Sequence, residues 1–267
     1  MKFLLILFMF TCSVSAQELF VMTEPASNMP TGSIGARLGQ SFMKEQFEPG
    51  YNYHLMPEMM FGVNKNLMFH ASAFISNRVN GLVVEGGGFY GKYRFFSVDD
   101  VHSHFRLAVF GRASVNNADI HQEEIETMGH NTGFETGFVA TQLINKTAIS
   151  TTISFEKVFD NGCKNPFPAA QSNSAMNYTL SFGQLVYPKT YTSLKQTNIN
   201  LMLEFMGQRL QDNKKSYLDI VPSIQFIINS QARVDLAYRQ QIYSEMLRTA
   251  PNGIYLKLEY TFFNVTN

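Results

Sequence analysis

The chain has 267 residues, and its 21 Lys and Arg are balanced by 21 Asp and Glu, so the formal net charge is zero. With no basic tail or stripe, it lacks the electrostatic footprint of a nucleic-acid binder. Fourteen Met and 24 Phe against no Trp make it rich in large apolar side chains.

Met1–Ala16 begins with Lys2, runs through the apolar Phe3–Phe10 and ends Val14-Ser15-Ala16 before Gln17. A charged start, a short apolar core and small residues before the cut predict a cleavable signal peptide over 1–16. The apolar run is well short of the roughly 20 residues of a spanning helix. Cys12 invites a lipid anchor, but the bulky Phe10 stands where small residues are expected. Removing the signal leaves Cys163 as the sole cysteine, which excludes an internal disulfide and any cysteine-based zinc cluster. Residues 17–30 read as a short periplasmic N-terminal segment, and 31–267 as one domain.

That domain alternates apolar and polar residues over twelve stretches: 32–44, 51–63, 67–77, 84–97, 103–114, 131–142, 147–159, 174–186, 194–206, 216–228, 232–244 and 253–265. In Arg233–Gln241, for example, Val234, Leu236 and Tyr238 alternate with Arg233, Asp235 and Arg239. Successive strand side chains point to opposite faces, so each stretch predicts a strand with one apolar and one polar side. Strands of a soluble sandwich average about 5–6 residues, whereas membrane strands need ~9–11. These stretches have the membrane length. Longer polar links follow the odd-numbered strands: Lys44–Gly50, Asn77–Leu82, Val115–His130, Asp160–Asn173, Gly207–Lys215 and Glu245–Asn252. Three even-numbered strands end in the short turns Asn64–Asn66, Asn145-Lys146 and Asn229–Gln231, and Val98–His102 and Tyr187–Thr192 are intermediate. Even strand number, short periplasmic turns and longer external loops characterise outer-membrane barrels. The expectation is an all-β, closed antiparallel up-and-down transmembrane β-barrel of twelve strands, in the bacterial outer membrane with both termini periplasmic. Pro57 and Pro222 fall inside strands, where proline removes a ladder donor, and predict local bulges.

The two faces differ in charge. One collects residues such as Ile34, Leu38, Met59, Phe61, Phe89, Leu107, Ile153, Leu203 and Leu258. The other collects Arg37, Glu58, Lys92, Arg94, Arg106, Arg112, Glu135, Glu156, Glu204, Asp219, Arg233, Asp235, Arg239, Lys257 and Glu259. Arg or Lys at a bilayer midplane costs ~2–4 kcal/mol, so the charged set is assigned to the lumen. An eight-stranded barrel fills its interior with side chains and one of 16 or more leaves a water channel; twelve is intermediate.

The signal peptide, the twelve amphipathic strands and the terminal Leu256-Lys257-Leu258-Glu259-Tyr260-Thr261-Phe262-Phe263 resemble the outer-membrane β-barrels of Gram-negative bacteria, nearest in type to small barrels described as transporters. The chain departs in ending Asn264-Val265-Thr266-Asn267 rather than on an aromatic residue. The resemblance implies outer-membrane lipid and the barrel assembly machinery as partners. It implies no particular ligand, because this fold carries channels, lipases, proteases and adhesins.

Five constellations bear on chemistry. The lumen charges read either as a narrow polar path for small solutes or as a salt-bridged plug in a structural or adhesive barrel with working external loops. His70-Ala71-Ser72 invites comparison with outer-membrane lipid hydrolases, which use a His and a Ser two apart; here both share the lumen parity, away from lipid. His121, Glu123, Glu124, Glu126 and His130 crowd the longest loop and are weak metal candidates, lacking any recognised ligand spacing. His102 and His104 flank a turn, and His54, Met56, Met60, Met68 and His70 share the lumen parity on adjacent strands, where they suit copper or simple gap-filling. No cofactor is expected.

Overall fold

The computed structural model describes residues 20–47, 49–78, 81–162, 164–190, 193 and 195–265. The expected signal peptide and Cys163 lie outside the described residues. Twelve strands follow in order: β1 Ile34–Lys44, β2 Tyr51–Asn64, β3 Leu67–Ser76, β4 Val83–Asp99, β5 Ser103–Asn116, β6 Gly133–Ile144, β7 Thr147–Val158, β8 Ser174–Tyr187, β9 Asn198–Leu210, β10 Ser216–Ile228, β11 Ala232–Ser244 and β12 Asn252–Phe262. Each pairs with its sequence neighbours, and β1 closes on β12, with Ile34 opposite Phe262 and Lys44 opposite Asn252. The fold is the closed, all-antiparallel twelve-stranded barrel that the alternation predicted. Closure leaves no free sheet edge.

The short turns use residues that tolerate positive φ. Asn145 sits at 53°, and Asn229 and Ser230 sit at 53° and 57°. Asn reaches this region readily because its short polar side chain bonds locally. The largest boundary difference is β9, which begins four residues later than predicted. Ser193, Lys195, Gln196 and Thr197 do not alternate, so the strand starts only where Asn198 and Asn200 take the buried face. The link before it, 188–197, is therefore longer than expected, and the link after it, 211–215, is shorter.

Neither proline produces a bulge. Pro57 pairs in register with Leu38, and on its other side the ladder with β3 resumes at Glu58–Ser72 unshifted from Leu55–Ile75. Pro222 pairs with Leu203, and the ladder to β11 passes from Ile220–Gln240 to Ser223–Ala237 without a shift. A single missing donor interrupts one ladder locally, and the long flanking pairings hold the register. The shifts lie elsewhere, at Gly62/Asn64, Phe74/Ile75, Arg94/Phe96, Leu185/Tyr187 and Leu218/Asp219.

Large apolar residues such as Phe138, Ile153, Leu201, Leu236 and Leu258 are exposed on the outer wall. The apolar cores lie inside, and two segments from outside the wall build them. The N-terminal segment enters from the short-turn end. Its Phe20 and Val21 cluster with Ala148, Met202, Val221 and Ala237, its Ala26 with Tyr90, Ala108, Phe110 and Val139, and its Met29 with Met60 and Met68. The expected periplasmic segment thus runs, over its described part, inside the barrel. Two glycines make room for it. A Cβ on Gly35 would lie 2.5 Å from Met60 Cε and 3.0 Å from Met29 Cε, and one on Gly62 would lie 2.2 Å from the Pro30 carbonyl oxygen. From the opposite end, the β5–β6 loop folds inward and seats Ile125 against Val158, Ala175, Leu210 and Tyr217.

Candidate functional site in the barrel lumen

Between these two segments lies a cavity of about 240 Å³. Its wall includes Arg37, Glu58, His70, Arg112, Glu135, Glu156, Arg239 and Lys257; Glu24 of the N-terminal segment and Glu124 to His130 of the β5–β6 loop supply its two ends. Alternation along β1 to β3, β5 to β7, β11 and β12 aims the wall residues inward.

The N-terminal segment is held mostly through its backbone. Glu204 accepts hydrogen bonds from the amides of Val21, Met22 and Thr23, each at 3.0 Å, and from the Thr23 hydroxyl at 2.8 Å. Thr141 Oγ1 accepts from the Ala26 amide at 2.9 Å. Lys92 Nζ donates to the carbonyls of Pro25 at 2.6 Å and Ser27 at 2.8 Å, and Lys257 Nζ donates to the Val21 carbonyl. Arg106 reaches the Ser27 hydroxyl at 2.8 Å. One side-chain charge of the segment is read: Arg37 Nη1 meets Glu24 Oε1 at 3.0 Å. Burial raises the Glu24 carboxyl, but Arg37 and Lys92 outweigh it and hold the group well below the usual range.

The β5–β6 loop is fixed by ion pairs. Glu124 accepts from Arg239 at 2.8 Å and from Arg248 of the β11–β12 loop at 2.8 Å, while both arginines also bind Asp219 of β10. The Arg248 guanidinium stacks 3.9 Å above the Tyr217 ring. Burial works against ionisation of Glu124, yet Arg248 and Arg239 hold its carboxyl at about 2. Further in, the Thr127 amide donates to Glu156 at 2.6 Å, and Gln208 bridges the amide and carbonyl of Ile125. His130 stacks on His54 at 4.7 Å, and Arg78 lies 2.9 Å from its Nδ1. Glu126, 3.7 Å from His130, is pushed up to about 7 by burial and by neighbouring Glu124.

The structure turns the fifteen charged residues assigned to the lumen to the inner side or its rim and divides them by role, whereas Lys44, Lys157 and Arg209, near strand ends, have the outward parity. Glu204, Lys92 and Arg106 hold the N-terminal segment, and Arg94 caps the Lys65 carbonyl at 2.5 Å near a short turn. Arg37, Glu58, Glu259, Arg233 and Asp235 form a network on β1, β2, β11 and β12, with Arg37 2.9 Å from Glu58 and 2.8 Å from Glu259. Arg112 pairs with Glu135 at 2.7 Å, while Glu135 stands opposite Glu156 in the β6–β7 register. Asp219 and Arg239 belong to the loop anchor. Sequence reasoning missed Glu24, Thr141, Gln208, Arg78 and Arg248, all outside the charged strand set. Signals for the inserted segment were nevertheless present: Met60, Met68, Phe110, Val139, Met202 and Val221 are apolar positions interrupting the polar face.

The loop acids do not gather. His121 is exposed beside Asp119 at 3.9 Å, Glu123 pairs with Lys215 at 2.7 Å, and Glu124 and Glu126 have the partners above. Among the described residues, no group of three or more His, Cys, Asp and Glu is placed to hold a metal ion. Met60 and Met68 pack around Met29 as gap-fillers, and His104 pairs with Asp99 at 2.8 Å. Ser72 donates to the Gly88 carbonyl at 3.4 Å, whereas His70 lies 3.4 Å from Glu58 through Nδ1.

No family model and no curated protein matches the chain. Solved structures do match. An outer membrane channel from Pseudomonas putida superposes with a TM-score of 0.59 at 12% identity, covering 91% of this chain and all (100%) of that one. The KdgM porin gives a TM-score of 0.44 at 9% identity, covering 86% and 99% of the two chains. The outer membrane protein OprD from Pseudomonas aeruginosa gives 0.38 at 7% identity, covering 91% and 97%. The chain shares the barrel fold of the Pseudomonas putida channel.

Proposed function

We propose that this protein is an outer-membrane channel for small polar or charged solutes. The observation that carries this reading is the charge-lined cavity enclosed between two inserted segments inside a complete barrel. The likeness in fold to the Pseudomonas putida channel supports it. Channel selectivity commonly comes from rings of charged side chains. Here Arg37, Arg112 and Lys257 share the cavity wall with Glu58, Glu135 and Glu156, so neither sign dominates. The short turns then face the periplasm, with both termini, and passage requires the N-terminal segment and the β5–β6 loop to move aside.

A second reading is a structural or adhesive barrel, working through external loops such as 159–173. It is favoured by the buried pairs around Asp219, Glu124, Arg239 and Arg248, which close the long-loop end. Planar-bilayer recording separates the two. A channel gives discrete conductance steps that change in ion preference on Arg112→Gln or Glu58→Gln, and a closed barrel gives none. A lipid hydrolase is the remaining alternative. It requires turnover of phospholipid that Ser72→Ala abolishes.

A further inference from the structure

The contacts on the N-terminal segment are those of a peptide receptor. Val21, Met22, Thr23 and Ala26 give their amides to Glu204 and Thr141, while Val21, Pro25 and Ser27 give their carbonyls to Lys257 and Lys92. Backbone amides and carbonyls are common to any peptide, and the run bends over Val21–Thr23 so that three successive amides converge on one carboxylate; these bonds recognise a bent main chain rather than a particular sequence. Two further features add selectivity. Phe20 and Val21 enter an apolar pocket of Ala148, Met202, Val221 and Ala237, and Arg37 takes the Glu24 carboxylate four residues after Phe20. Ionised groups make hydrogen bonds about twice as strong as neutral pairs, so Glu204, Lys92 and Lys257 are the strong points of the seat.

We propose that this seat is a peptide-binding site occupied in cis by the chain's own N-terminal segment, and that it accepts in trans a short peptide, bent after its first residue, with an apolar leading pair and a carboxylate four residues after the first. The inference rests on the channel reading only in naming a solute class; the binding itself does not require conduction. The cavity lies directly beyond Glu24, so a peptide displacing the segment would also have its acidic side chain at the cavity floor.

The experiment keeps the barrel intact. A protease site is inserted after the exposed Thr31, the protein is folded whole, and the segment is then cut and washed out. A fluorescent peptide of the sequence Phe-Val-Met-Thr-Glu-Pro-Ala-Ser-Asn is titrated into the emptied barrel and followed by anisotropy. Saturable binding is expected, weakened at least tenfold by Glu204→Gln and by Lys92→Met, and weakened when the peptide's Glu is replaced by Lys. If washing fails to release the cut segment from the parent barrel but releases it from the Glu204→Gln barrel, the seat is equally supported. No saturable binding to an emptied barrel that keeps its heat-modifiable migration would overturn the proposal. Equal affinity in parent and Glu204→Gln barrels would do the same. Conductance of the emptied barrel, recorded separately, reports on the channel reading alone.

Discussion

Arg248 and Glu124 belong to different loops, yet they meet through two hydrogen bonds, Nε to Oε2 at 2.8 Å and Nη2 to Oε1 at 3.2 Å. Arg248 is 1% exposed, so this pair is shut away from solvent and ties the β11–β12 loop to the β5–β6 loop inside the barrel. Removing one partner of a buried pair leaves an uncompensated charge, at a cost of ~3–5 kcal/mol.

Glu124→Gln is therefore expected to release the β5–β6 loop. Limited proteolysis should cut within residues 117–132 in the variant and spare them in the parent protein, and the melting temperature in detergent should fall. Glu123→Gln is the control. Its partner Lys215 is 39% exposed, and a pair of that kind contributes only ~0–1 kcal/mol. Equal effects of the two substitutions would contradict the anchoring role of Glu124.

The packing of the same loop should pass through an optimum in pH. The Glu126 carboxyl is raised by burial to about 7. Its protonated form favours the packed loop, so the packed state is undisturbed below the ordinary carboxylate range near 4.5 and loses stability as pH rises from there through about 7. His130 is shifted the other way, well below its usual 6.5, by burial and by Arg78, with His54, Arg239 and the nearby Glu126 also facing it. The packed loop holds it neutral, so stability is lost as pH falls below 6.5. Proteolysis of the loop across pH should rise on both sides. Glu126→Gln should flatten the alkaline limb and His130→Gln the acid limb; a profile indifferent to both would rule the assignment out.

Thr152 and Ile153 test the faces from adjacent positions on β7. Ile153 is 55% exposed on the outer wall, whereas Thr152 lines the cavity. Ile153→Arg places a charge against lipid at ~2–4 kcal/mol and should reduce assembly into the membrane. Thr152→Arg should assemble, with altered ion preference. Gel heat-modifiability after membrane extraction reads both. Equal assembly of the pair would mean that the outer wall does not face a bilayer.

Strand number, antiparallel order and the parity of the faces were legible because a period of two is written in local sequence, and a charged residue such as Arg112 or Glu204 announces which side is inward. The filling of the lumen was not. Phe20 meets Met202 across 182 positions, and no local pattern encodes such a contact. The clue available was negative: Met60, Met68, Met202 and Val221 have no reason to lie on a polar, water-filled face unless something apolar covers them. Parity also showed where Glu204 and Lys92 point but not what they bind, since a carboxylate facing the lumen serves equally for an ion pair, a solute or three backbone amides. The prolines misled for a related reason. A bulge was expected at Pro57 from one missing donor, but eleven register pairs between β1 and β2 decide the register instead.

The most direct test of the channel account is single-channel recording of the purified mature protein in a planar bilayer, before and after the N-terminal segment is cut from the folded barrel and washed away. Small or infrequent steps are expected from the intact protein, and larger, sustained steps from the emptied barrel, whose ion preference shifts on Arg112→Gln. A folded, emptied barrel that also carries Glu124→Gln and still passes no current would contradict the channel account and leave the closed structural barrel in its place.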